Sequence, residues 1–178
     1  MRRTSRTAAT DKPQDAATAI EQMYSHPGFL LRRAHQIAAA VFEQECEALL
    51  TPPQFSALSL IGLVPNIDQM SVARITGLDR NTIAVVITNL IKQGWVTRTP
   101  DPTDGRRYCL EMTAAGRSVT NRVRARAEKA EQRLLSGFSA SEATQFVQLL
   151  RTFVDNFNED SRSPVDDTAL PAAQLRLR

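Results

Sequence analysis

Seven glycines, two cysteines, two histidines and an aromatic content of 6% in 178 residues exclude several classes of protein. Scarce glycine and scarce aromatics argue against an all-β architecture, whose hairpin turns and sheet faces draw on both. Cys46 and Cys109 lie far apart and match neither a Cys-x-x-Cys pair nor a zinc spacing. There is no glycine-rich phosphate loop, no Gly-x-Ser-x-Gly and no cluster of metal-ligand residues. An enzyme is therefore not expected, and neither is a cofactor or a bound metal. No apolar run approaches the roughly 18 residues of a membrane span. The start, MRRTSRTAATDKPQDAA, carries arginines without the apolar block of a secretory signal. A formal net charge of +3 identifies no partner by itself. These absences lead us to expect a reduced, cytoplasmic protein that makes no membrane contact.

What is present is helical periodicity. Residues 1–27 read as a flexible arm, with a short helix through Ile20 and Met23 before Pro27 and Gly28 interrupt it. From Phe29 to about Leu49, apolar residues recur at three- and four-residue spacing, including Leu30, Ala34, Ile37, Ala38, Val41 and Phe42. A second helix follows Thr51, a suitable N-cap, with Pro52 at its first position and Pro65 beyond its end. After a short extended piece at Asn66–Ile67, Asp68 caps QMSVARIT, which Gly77 ends. Asp79 then caps RNTIAVVITNLIKQ, which closes at Gly94. Two short helices joined by a glycine-containing turn are a helix-turn-helix pattern.

Two strand-like pieces follow directly, WVTRTP (95–100) and RYCLEM (107–112). The turn between them holds Asp104, Arg106 and Arg107. A helix-turn-helix followed by such a hairpin is a winged helix. An arginine at the hairpin tip suits a phosphate backbone or a narrow minor groove. Thr113 then caps a long helix with interleaved charges, running to about Leu135. Ser139 and Glu142 form a capping box before a last helix whose stripe is Phe146, Leu149, Leu150, Phe153 and Val154. One chain offers that stripe too few partners, so a second copy is expected to cover it.

The stretch SVARITGLDRNTIAVVITNLIKQGWVTRTPDPTDGRRYCLEMTAAG resembles the MarR family of bacterial winged-helix transcription regulators. The resemblance runs from about Phe29 to Asn156. Its most specific part is the wing signature, Asp-x-Arg-Arg, then a hydrophobic strand, then Thr-x-x-Gly, found here as Asp104, Arg106, Arg107, Thr113 and Gly116. The resemblance implies a mainly α fold with a winged helix-turn-helix at 51–112. It also implies a helical dimerisation domain built from residues 28–50 and 113–157; beyond it, residues 158–178 read as a flexible tail. It further implies a homodimer that represses nearby genes by binding a double-stranded operator and is released by a small ligand, often an aromatic acid.

The expected site residues follow. In the recognition helix, Ile83, Val86, Ile87 and Leu90 make the core face, leaving Asn81, Thr82, Val85, Thr88 and Asn89 toward a major groove. Asparagine pairs bidentately with adenine and valine meets a thymine methyl, so an A·T-rich half-site is expected. Arg80 is assigned to phosphate or packing, Arg106 to the minor groove, and Arg107 to pairing with Asp104. For the effector, Arg32, Arg33, His35 and Gln36 cluster in LLRRAHQ, where the resemblance places the ligand pocket. A cation beside a hydrogen-bond donor suits a carboxylate or phenolate, so the expected effector is an aromatic or heteroaromatic acid. Phe55 and Met70 are candidate lining residues. Two alternatives compete with this reading. A thiol-based redox-sensing regulator of the same family is disfavoured because Glu45 and Glu47 flank Cys46 and raise its pKa. A nonspecific architectural DNA-binding protein is disfavoured by the modest net charge.

Overall fold

The ends of the helices are set by side chains legible in the sequence. The computed structural model describes residues 15–102, 107–166 and 168. Its elements are α1 (Ala16–Ser25), α2 (Pro27–Glu45), α3 (Pro52–Leu63), β1 (Ile67–Asp68), α4 (Gln69–Thr76), α5 (Arg80–Lys92), β2 (Val96–Pro100), β3 (Tyr108–Met112), α6 (Ala114–Leu135) and α7 (Ala140–Asn156), followed by one 3₁₀ turn at Asn158–Asp160. Thr51 and Ser139 close reciprocal capping boxes with Gln54 and Glu142. Asp68 accepts from the amides of Met70 and Ser71, and Asp79 from those of Asn81 and Thr82. Gly77 ends α4 at φ 66°, the left-handed cap that glycine adopts without a Cβ penalty.

The chain divides into two units, residues 1–38 and 39–178. In the first, α1 and the opening turns of α2 break at His26, whose imidazole Nδ1 accepts from the Gly28 amide at 3.1 Å. Tyr24 and Phe29 rings pack at 5.3 Å across that break. Neither helix buries a side chain: Ile20, Met23, Tyr24, Leu30 and Ile37 all face out.

The second unit has a single core. Leu58 and Ile61 of α3, Val72 of α4, Ile83, Ile87 and Leu90 of α5, Val96, Leu110 and Val123 meet there, each at most 2% exposed. The expected apolar face of the recognition helix is thus the buried one. The sheet has three strands in the order β1-β3-β2, both pairs antiparallel. From the sequence, Asn66–Ile67 is expected only as a short extended piece. Here β1 pairs with β3, Ile67 opposite Leu110, and this fastens the front of α4 to the hairpin.

The Thr-x-x-Gly part of the wing signature acts as a clamp. Thr113 donates its hydroxyl to the Gly94 carbonyl (2.7 Å) and its amide to the Trp95 carbonyl (3.0 Å), and caps α6 through the Gly116 amide. At Gly116 an added Cβ would stand 2.2 Å from the Trp95 carbonyl oxygen. Hairpin base and α6 therefore meet backbone to backbone.

The last helix buries nothing. Phe146, Leu149, Leu150, Phe153, Val154 and Phe157 are all exposed. The expected free tail over 158–178 is only partly tested, since 167 and 169–178 lie outside the described residues. Residues 158–166, however, fold back onto the end of α4. The Asn158 side chain holds both backbone groups of Val165, and the Asp166 amide donates to the Arg74 carbonyl.

Candidate nucleic-acid interface

The outward face of α5 is built from what the core leaves over. Asn81, Val85, Thr88 and Asn89 are exposed, and Thr82 is half-buried. Val85 is 61% exposed, a large apolar group held in water on a rigid helix. The threonine hydroxyls already donate inward, Thr82 to Asp79 at 2.5 Å and Thr88 to the Ala84 carbonyl at 2.8 Å. What they present outward is a lone pair and a methyl group. Arg80 stands exposed at the start of the helix.

Beside this helix lies a groove of about 520 Å³ between α4, the start of α5 and the hairpin. Four arginines line it: Arg74, Arg80, Arg98 and Arg107. Arg98 stacks over the Tyr108 ring, 3.9 Å from its centroid. The hairpin register explains this, because Arg98 opposes Leu110 and Pro100 opposes Tyr108, putting Arg98 and Tyr108 on one sheet face. Sequence reasoning missed Arg74 and Arg98, although the alternation of Thr97, Arg98 and Thr99 was a usable signal for the second.

Asp104 and Arg106, and with them the expected Arg107–Asp104 pair, lie outside the described residues. Arg107 reaches Asp68 of β1 at 2.5 Å. Burial is the largest single effect on the Asp68 carboxyl and pushes its pKa up. The Ser71 hydroxyl and amide together with Arg107 outweigh it and hold the pKa below its ordinary 3.8. A depressed folded-state pKa stabilises the fold above the unfolded value, and this stabilisation is lost as pH falls through the folded value. Asp68→Asn should therefore cost about 1 kcal/mol at pH 7, from the weakened cap and the lost ion pair. That difference should shrink toward zero at an acid pH well below the ordinary 3.8. Urea titrations of both proteins at the two pH values check it; a pH-independent difference would mean that the charge of Asp68 is irrelevant.

The ligand candidates fall in different places. Arg32, Arg33, His35 and Gln36 are exposed on α2, and both arginines donate to the Gln36 Oε1 at 3.1 Å. Arg32 also lies over the Phe29 ring at 5.1 Å. Phe55 packs against the core, its ring 5.8 Å from that of Phe42. Met70 lines the arginine groove. The two thiols are buried. Burial is the main cause raising the Cys46 pKa, with Arg126 opposing it and Glu45 adding a smaller push, so the flanking carboxylates are not the principal cause. Burial also raises the Cys109 pKa, followed by Asp101. Among the described residues no group of His, Cys, Asp and Glu could hold a metal, and no helix is long and apolar enough to cross a membrane.

A helix-turn-helix with an arginine-lined hairpin at its side is a winged helix, a fold that reads duplex DNA. Residues 50–107 match the model of the MarR family. Over 144 residues the chain is 31% identical to a transcriptional regulatory protein for the hcr operon of Thauera aromatica, spanning 78% of this chain and 83% of that one. Among solved structures, the PcaV transcriptional regulator of Streptomyces coelicolor is 34% identical, with a TM-score of 0.68 over 74% of this chain and 97% of PcaV. BpsR of Bordetella bronchiseptica, whose DNA binding is regulated by 6-hydroxynicotinic acid, is 29% identical, with a TM-score of 0.70 over 74% and 95%. The chain belongs to the MarR family. It is a DNA-binding transcriptional regulator of the winged-helix type and not an enzyme.

Proposed function

We propose that this regulator is a repressor that binds a pseudo-palindromic operator as a homodimer and lets go when a small aromatic or heteroaromatic carboxylate binds. The outward face of α5 carries the DNA half of this reading. Asn81 and Asn89 offer carboxamides able to pair with adenine, Val85 offers methyls for thymine, and Thr82 and Thr88 offer acceptors beside methyls. This combination favours A·T-rich half-sites. Arg106 enters the adjacent minor groove, where such sequences concentrate negative potential, with Asp104 helping to hold the tip. Arg80 and Arg107 take backbone phosphates.

The dimer is supported by the apolar face of α7, which is exposed among the described residues. Two copies joined through the helices of residues 28–50 and 113–157 would set their α5 helices roughly 34 Å apart, one duplex turn. The effector reading is supported by the α2 cluster, where Gln36 gathers two guanidinium groups beside His35. It is also supported by the likeness to BpsR, which responds to 6-hydroxynicotinic acid. With Phe55 in the core and Met70 in the arginine groove, the polar chemistry falls to α2.

The ligand shifts the equilibrium only by its difference in affinity for the free and DNA-bound forms. The test is light scattering of the free protein, followed by fluorescence anisotropy on a promoter fragment with 6-hydroxynicotinate, benzoate or hydroxycinnamate up to about 1 mM. Expected are a dimer, release by at least one acid, and no release from an Arg32→Ala, Arg33→Ala double variant. A monomer, or a complex indifferent to all three acids, would remove the reading.

A further inference from the structure

The segment after α7 makes more specific contacts than a tail requires. The Asn158 Oδ1 accepts from the Val165 amide at 2.8 Å, and its Nδ2 donates to the Val165 carbonyl at 3.0 Å and to Glu159 at 3.1 Å. One carboxamide thus closes the loop from 158 to 165. The next residue, Asp166, donates its amide to the Arg74 carbonyl at 3.0 Å. That carbonyl is among the last of α4, where the helix has no amide of its own to offer. The left-handed cap does not satisfy it, because the amides of Gly77 and Leu78 both go to Ala73. Val165 rests on Gly77, its Cγ2 3.0 Å from where a Cβ would stand. Gly77 therefore serves twice, for its positive φ and for this close approach. The Asp166 carboxylate in turn accepts from the Thr168 amide and hydroxyl at 3.1 and 2.5 Å.

Two of these contacts, Asp166 to Arg74 and Val165 on Gly77, fall where α4 ends and the turn to α5 begins. We propose that residues 158–166 form a strap that fixes this turn, and with it the angle at which α5 is presented, making Asn158 a positioning residue for DNA binding. This rests in part on the operator reading above. A free turn would let α5 sample angles incompatible with the groove, and apparent affinity falls in proportion to the competent fraction. The strap also joins α7, whose exposed apolar face awaits a partner, to the DNA-reading helices without passing through the core.

The experiment uses the full chain with Asn158→Ala and Asn158→Asp. Without DNA, hydrogen exchange at the Leu78 and Asp166 amides should speed up about tenfold in Asn158→Ala, while exchange in the α3 and α6 core is unchanged. Operator affinity should fall about fivefold with an unaltered salt slope, since no phosphate contact is lost. Asn158→Asp keeps the acceptor for the Val165 amide but loses the donor to its carbonyl, so both effects should be intermediate. Unchanged Leu78 exchange would overturn the strap. So would tighter binding with a steeper salt slope, which would make the segment a shield over Arg74. Because the exchange arm needs no DNA, failure of the wild type to bind any promoter fragment would remove the operator reading separately.

Discussion

Replacing Gly116 with alanine should cost at least about 3 kcal/mol of folding stability, measured by urea denaturation. The new Cβ would stand 2.2 Å from the Trp95 carbonyl oxygen and 3.0 Å from the Trp95 carbonyl carbon. These are backbone atoms, so no side chain can turn aside. Relief would require α6 to move away from the hairpin base, breaking the bonds from Thr113 to Gly94 and Trp95. Gly137→Ala is the control: nothing lies within 4 Å of its Cβ, and it should be neutral. A loss below about 1 kcal/mol for Gly116→Ala would show that α6 and the hairpin are not rigidly clamped.

Val85→Glu should leave stability untouched and abolish function. Val85 is 61% exposed at the centre of the outward face of α5, so the melting temperature should stay within about 2 °C of the parent. If that face enters a major groove, the new carboxylate lies between two rows of phosphates and loses its water without gaining a donor. Operator affinity should fall about a hundredfold or more, whereas Val85→Ala should cost only a few-fold. Normal operator binding by the glutamate variant would mean that another surface reads the DNA.

The parts of the fold that could be read from the sequence are those that depend on near neighbours. Thr51, Asp68, Asp79, Thr113 and Ser139 each cap a helix within three residues of themselves, and each was recognisable by side-chain type and spacing alone. The buried face of α5 followed from a 3.6-residue period. What escaped was set by pairing across distance. Asp68 reads as a cap, and nothing local marks it as the partner of Arg107, 39 residues on. Ile67 has no periodic neighbours to reveal that it lies opposite Leu110. The strap was invisible because nothing near Asn158 in the sequence marks Val165, seven residues on, as its partner, and its role appears only once Gly77 leaves room for Val165. At the DNA site the α5 residues were legible because helix geometry sorts them. Arg74 was not, because its membership in the groove depends on where the hairpin lies.

The bare apolar stripe of α7 has a consequence for the cell. In the dimer proposed above that helix is completed by collision, so the concentration of assembled regulator would climb with the square of chain abundance while most chains are still single. Under that law a small drop in expression would empty the operator faster than the loss of protein alone, and gene dosage would join the proposed effector as a second control on the promoter.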